Sequence, residues 1–248
     1  MTTKSADPKF ATLPIDALAE DLFGLNLRGL RSVRVLWVRP KRYFSAARTL
    51  DWNDTYTPSI RLWLSFFALY SLLQVWWIGE NAGMISAYAA GFAQAGLLLP
   101  EGMTYEDVGK ETVLWVFGLV PVLHIVSMVA LSLVYPFWGE PTTTALRQRY
   151  LFATIVPSAS LMPVFMTIML FVPGDWLVGY GIVIAMVSFL IHFQTGYRGA
   201  YAGVSGLSKV WRAGLLAVIV VALNTACSIV AQIAGILVTS QKYGVVTG

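Results

Sequence analysis

Charge is what this sequence has least of. Charged residues make up 12% of its 248 positions and hydrophobic ones 57%, against roughly 25% and 45–50% in a typical soluble domain. The mean hydropathy is +0.67. That leaves too little polar surface to clothe a water-soluble globule. Cysteine is nearly absent: Cys227 stands alone in an apolar run, which excludes an internal disulfide and a cysteine-based metal cluster. The two histidines, His124 and His192, have no acidic neighbours and no zinc or haem spacing, so no metal site and no cofactor are expected. The first 57 residues contain no long apolar core, and no cleavable signal peptide is expected.

What is abundant is long uncharged sequence. A membrane-spanning helix needs about 20 mostly apolar residues, and five stretches qualify: 62–79, 113–135, 150–172, 176–194 and 213–238. Backbone groups in lipid must be satisfied within the segment, so stretches this long and continuous read as helices and not as barrel strands. The fold expected is an all-α, polytopic transmembrane bundle of five spans. It divides into a cytoplasmic tail (1–57), a membrane domain (58–238) and a short C-terminal tail (239–248).

The few charges set the orientation. Residues 1–61 hold ten of the 17 lysines and arginines, the loops before the third and fifth spans hold Arg147, Arg149, Arg198, Lys209 and Arg212, and only Lys110 and Lys242 remain for the other side. The positive-inside rule then places the N-terminus in the cytoplasm and the C-terminus outside. The net charge of +4 encodes orientation and surface contact, and nucleic acid is not expected as a partner. Residues 81–100 are uncharged but carry Asn81, Ser86, Gln94 and three glycines. A span there would weaken the charge asymmetry and leave almost no linker after the first span, so this part of an outer segment at 81–111 reads as an interfacial or re-entrant helix.

Residues 22–38 repeat Leu27, Leu30, Val33, Leu36 and Trp37 at three-to-four-residue spacing, with Arg28, Arg31 and Arg34 alongside. This is the pattern of a basic amphipathic helix lying on anionic lipid headgroups. Pro40 should end or kink it, and Arg39, Lys41 and Arg42 extend the basic contact surface. Pro173, Gly174 and Asp175 read as a tight outer hairpin, with Trp176 at the interface. Pro157 and Pro163 should kink the third span, with Ser158 and Ser160 positioned to re-satisfy freed carbonyls.

No Asp, Glu, Lys or Arg falls within the five spans, although intramembrane ionisable groups are where transport chemistry usually sits. The polar candidates are His124, Asn224 and Gln232. The first, near the middle of the second span, reads either as a proton relay, metal ligand or headgroup contact, or as a hydrogen-bond partner of Asn224 or Gln232. His192 is expected at the interface. The pairs Ala222/Ala226 and Ala231/Gly235 permit close helix approach, within the chain or with a partner helix. No catalytic constellation is visible: Ser158 and Ser160 lack an acid–base pair, and Glu140 and Asp175 fall on opposite sides. The acidic run Glu101, Glu106, Asp107 and Glu111 reads as a solvated face.

Two segments carry a family likeness. Arg39, Pro40 and Tyr43, followed by Tyr56, Pro58, Ile60, Arg61 and Leu62 leading into the first span, form one. Tyr201, Gly206, Ser208, Lys209 and Arg212, before the last span, form the other. Together with the five-span plan they resemble the Yip (Ypt/Rab-interacting) membrane protein superfamily and a bacterial membrane family of unknown function. The resemblance implies the five-helix fold and a bacterial inner membrane. Eukaryotic members are linked to small-GTPase recruitment, but no GTPase-binding surface stands out in this tail, so that role is not carried over. The function expected is that of a non-enzymatic inner-membrane protein organising a lipid, a membrane protein partner or a second copy. The alternative is a lipid or small-molecule transporter or permease-like subunit, favoured by the kinked third span, by His124 and by the loop before the fifth span, which carries Gly196, Gly199, Gly203 and Gly206.

Overall fold

The computed structural model describes residues 27–49, 52, 55–80 and 82–243. The expected tail helix residues 22–26, the polar tail 1–20 and the last residues 244–248 lie outside that range. The described residues form helices and no strands: α1 (Leu27–Val38), α2 (Pro40–Thr49), α3 (Ser59–Glu80), α4 (Ala82–Gln94), α5 (Tyr105–Val134), α6 (Thr144–Met169), α7 (Leu177–Thr195) and α8 (Gly206–Tyr243). A 3-10 turn at Gly174–Trp176 forms the hairpin before α7, and a π-helical turn at Gly196–Ala200 follows it.

Four segments are long and apolar enough to cross a membrane: Tyr105–Val134, Thr144–Met169, Gly174–Ala200 and Gly206–Tyr243. They suggest an integral membrane protein, and their outer surfaces agree. Val122, Val126, Val129 and Leu133 on α5, and Ile182, Val183, Met186 and Leu190 on α7, are exposed. Continuous apolar faces of this kind are unfavourable in water and natural in hydrocarbon. The 22-residue α3 is about 33 Å long and runs beside α6.

Hydrogen bonds and ion pairs tie helix ends together at two places in the molecule. At the basic end, Ser59 donates to the Arg149 carbonyl at 2.9 Å, Arg198 to the Val38 carbonyl at 2.9 Å, and Arg212 to the Phe137 carbonyl at 3.2 Å. These bonds tie the start of α3 to the start of α6, the turn after α7 to the end of α1, and the start of α8 to the residues after α5. At the opposite end, Lys242 on α8 pairs with Glu111 on α5 at 2.8 Å. Tyr243 also donates to Glu111. Thus α8 continues as helix past the expected boundary at 238 and is latched there.

Local sequence explains the element boundaries. Pro40 lacks an N–H and favours the first helical turn, so α1 and α2 are separate helices with only Arg39 between them. Thr104 caps α5 reciprocally with Asp107, whose carboxylate accepts from the Thr104 backbone at 2.9 Å. Gly206 begins α8 with φ +61°, a left-handed conformation that favours glycine. In α6 the serine hydroxyls bond within their own helix, Ser158 donating to the Ile155 carbonyl at 2.8 Å and Ser160 to that of Pro157 at 2.6 Å. These are not the Ala153 and Ala159 carbonyls that Pro157 and Pro163 free, so the expected re-satisfaction is not seen.

The uncharged stretch after α3 forms a helix of 13 residues, about 20 Å long and too short to cross a bilayer of about 30 Å. It packs on the first turns of α5. The approach is so close that a Cβ on Gly109 would lie 2.6 Å from the Ile85 carbonyl oxygen. Its helix stops at Gln94, short of residue 100.

Candidate functional site

Where α3, α5, α6, α7 and α8 converge, the bundle leaves a cavity of about 100 Å³. Each helix contributes a wall. Trp63, Phe66, Phe67 and Tyr70 come from α3, Pro121 and His124 from α5, Ser158 and Phe165 from α6, Ser188 from α7 and Asn224 from α8. The aromatic side reflects the sequence of α3, where Trp63, Phe66, Phe67 and Tyr70 recur at helical spacing and share one face. Trp63 meets the His124 ring edge-on at a centroid distance of 5.7 Å and stacks on Phe67.

Two of the expected intramembrane candidates come together here. His124 and Asn224 both line the cavity, and neither His124 Nε2 nor Asn224 Oδ1 has a hydrogen-bond partner although both atoms are buried. The hydrogen bond expected between them is not made. Gln232, the third candidate, points outward from α8, as do Ala222, Thr225 and Ala226. Ala231 and Gly235 are buried; a Cβ on Gly235 would lie 3.0 Å from Val116, so this small pair serves packing within the chain.

His192, expected at the membrane interface, is fully enclosed by protein. Its Nδ1 lies 3.4 Å from the Thr154 carbonyl and its Nε2 3.5 Å from Ser158 Oγ. Thr154 sits three residues before Pro157, where a proline disturbs the backbone ladder. His192 therefore places a ring nitrogen at a weakened turn, and Ser158 links it to the cavity wall. Sequence reasoning missed this arrangement. The available signal was depth: His124, Ser158 and Asn224 lie near the middle of their apolar stretches.

The basic candidates gather at one end. On α1, Gly29, Ser32 and Leu36 face the protein, while Leu27, Leu30, Arg31, Arg34 and Val38 are exposed together. Thr57 donates its backbone N–H to Ser32 at 2.8 Å. Trp37 donates to Ser160 at 3.2 Å. The Trp37 ring thus reaches up the flank of α6, while Val38 beside it is held at the basic end by Arg198. Arg39, Lys41 and Arg42 are exposed on the linker and α2.

Behind them lies an aromatic knot. Tyr43 donates to the Thr57 carbonyl at 2.6 Å; burial, partly offset by Ser59, pushes its pKa up, so it stays a neutral donor. Trp138 stacks on Tyr201 and meets Tyr150 edge-on. Arg48 pairs with Glu140 at 2.7 Å and Tyr150 donates to the same carboxylate at 2.9 Å. Of the loop candidates, Tyr201 is buried, with its hydroxyl 3.1 Å from that of Tyr135. Arg212 donates to Ser208 at 3.1 Å, and Lys209 lies over the Tyr197 ring.

Among the described residues no three His, Cys, Asp or Glu side chains converge as metal ligands. The acidic run at the opposite end is partly used structurally: Asp107 caps α5 and Glu111 holds Lys242 and Tyr243. Comparison with protein families, curated proteins and solved structures finds no match.

Proposed function

We propose that this chain is a five-span, non-enzymatic protein of a bacterial inner membrane that organises anionic lipid at its cytoplasmic end. In this reading α3 joins the four longer apolar segments as the first span. The basic end faces the cytoplasm and Tyr243 lies outside. The distribution of lysine and arginine supports that orientation, and the segments around Pro40 and Gly206 keep their resemblance to the Yip superfamily. The observation that carries the lipid reading is the outward side of α1. There Leu27, Leu30 and Val38 offer apolar anchors beside Arg31 and Arg34, while Trp37 pins the helix to α6. A surface that is apolar and basic at once matches the boundary between acyl chains and anionic headgroups. The outward Ala222, Thr225 and Ala226 of α8 offer a packing face for a partner helix or a second copy.

The test is lipid retention. The full chain is reconstituted in nanodiscs of mixed phosphatidylcholine and phosphatidylglycerol, and the lipids held on ejection are weighed by native mass spectrometry. The wild type should retain the anionic lipid preferentially, and a variant with Arg28, Arg31 and Arg34 all changed to Gln should lose most of that preference. An unchanged preference overturns the reading. Tag accessibility at the two termini tests the orientation, and a cytoplasmic C-terminus overturns five spans. One observation favours the second reading, a lipid or small-molecule transporter: the cavity among the five helices, with polar atoms left open at mid-bundle.

A further inference from the structure

The polar atoms of the central cavity pose a physical problem. A buried nitrogen or carbonyl oxygen without a partner lowers stability, and the penalty rises in an apolar interior. Yet His124 Nε2 and Asn224 Oδ1 both remain unpartnered at the wall of one cavity. A simple packing role would favour apolar side chains of the same size at both positions. The cavity of about 100 Å³ also exceeds the roughly 10–15 Å³ that one water requires. It has room for a hydroxyl and part of the body that carries it, the rest lying along the aromatic wall.

We propose that this cavity binds a neutral, hydroxyl-bearing lipophile, an alcohol or phenol drawn from the bilayer, whose oxygen bridges His124 and Asn224. Three features select that class. First, no Asp, Glu, Lys or Arg lines the cavity, so a charged ligand would be buried without compensation. Second, the Asn224 carbonyl oxygen only accepts, which requires a ligand that donates. A hydroxyl donates its one proton to Asn224 and accepts, through a lone pair, from the His124 ring in the tautomer that carries the proton on Nε2. With its amide turned over, Asn224 would donate through Nδ2, so a hydroxyl, which both donates and accepts, satisfies either orientation, whereas an ester, ether or ketone satisfies only one. Third, Trp63, Phe67, Tyr70 and Phe165 form the remaining wall and favour a flat apolar body attached to the hydroxyl. This inference is independent of the anionic-lipid reading, which rests on α1.

The histidine count makes a direct test available. With two histidines in the chain, selective labelling of the imidazole nitrogens gives two sets of NMR signals, assigned by His192→Gln. The full-length protein in detergent is titrated with 4-butylphenol and with butylbenzene at matched micellar mole fractions. The phenol should move the His124 signals saturably and His192 less. Butylbenzene, with the same body and no hydroxyl, should bind at least about tenfold more weakly, the loss of hydrogen bonding in a dry site. Asn224→Leu should remove the discrimination between the two probes. Equal binding of the two probes overturns the proposal, as does discrimination that survives Asn224→Leu. His124 signals that neither probe moves mean a cavity filled by water alone, and overturn it too. The two-probe comparison on the wild type decides the matter even if the variant fails to fold.

Discussion

The two polar regions of this protein are built on opposite plans. At the basic end, side chains from α2, the α5–α6 loop, α6 and the turn after α7 interlock: Arg48, Glu140 and Tyr150 share hydrogen bonds, and Trp138 lies between the Tyr150 and Tyr201 rings. Halfway along the bundle, five helices meet around a gap where His124 and Asn224 each keep a buried polar atom open. Trp138 Nε1 is the one unpartnered atom in the knot, and its ring contributes through packing. The contrast teaches a division of labour. The knot holds the helix ends in place, so the middle can tolerate a cavity that a bundle optimised only for stability would close.

The comparison breaks most readily at the knot. Trp138→Ala removes a ring that is 1% exposed and contacts Tyr135, Tyr150 and Tyr201. It should destabilise the protein by about 3–5 kcal/mol, read as thermal unfolding in detergent, whereas Trp138→Phe should recover part of that. A loss under about 1 kcal/mol would show that the knot is not what fixes the helix ends.

Next comes the close approach of α4 and α5. Gly109→Ala puts a Cβ 2.6 Å from the Ile85 carbonyl and 3.2 Å from the Ala89 nitrogen. Both neighbours are backbone, so the helices must separate. The cost should be about 1–3 kcal/mol, net of up to ~1 kcal/mol gained in helix propensity. Unchanged melting would mean that α4 is only loosely docked.

The cavity should respond with the opposite sign. Asn224→Leu replaces an unpartnered carbonyl oxygen with methyl groups of similar volume. Without ligand it should leave stability unchanged or raise it by up to about 2 kcal/mol. A structural hydrogen bond at this position would instead make the variant less stable, and a lower melting temperature would erase the contrast between knot and cavity.

The legible parts of this architecture follow from one-dimensional signals. Apolar length marks the long helices, Pro40 separates α1 from α2, and Pro173 with Gly174 and Asp175 marks the hairpin turn. The period of Leu27, Leu30, Val33 and Leu36 announces an amphipathic α1, although Leu36 turns inward while Leu27 and Leu30 turn out. The knot was hidden because Arg48, Glu140 and Tyr201 are far apart in sequence, and each alone reads as a surface or interface residue. The cavity was half visible. His124 and Asn224 stood out as polar residues in apolar runs. That they share a wall depends on the rotation and depth of two helices, which composition does not encode. Gln232 carries the same one-dimensional signal and faces outward.

The smallest effect belongs to the latch at the far end of α8, and its sign can be worked out. Partial burial disfavours the charge on Glu111, but Lys242 and Tyr243 outweigh it and hold the carboxyl below its ordinary range. Hydrogen bonding to Glu111 raises Lys242. A depressed carboxyl contributes stability above its unfolded pKa of about 4.3 and loses it as pH falls through the lower folded value. A raised lysine contributes below about 10.4 and loses it as pH rises through the higher folded value. The latch should therefore be closed across the neutral range and open in acid, with the first change below about pH 4. Its exposure limits the gain, because solvent and salt screen the pair. The last turn of α8 is also held by Thr112 and Thr239, whose hydroxyls lie 3.1 Å apart. Lys242→Met at neutral pH should thus lower amide-exchange protection in residues 239–243 while leaving the melting temperature and the His124 signals unmoved. Loss of protection spreading to Asn224 would mean that this end of α8 and the cavity are one cooperative unit, and the separation of scaffold from site would then fail at the end opposite the knot.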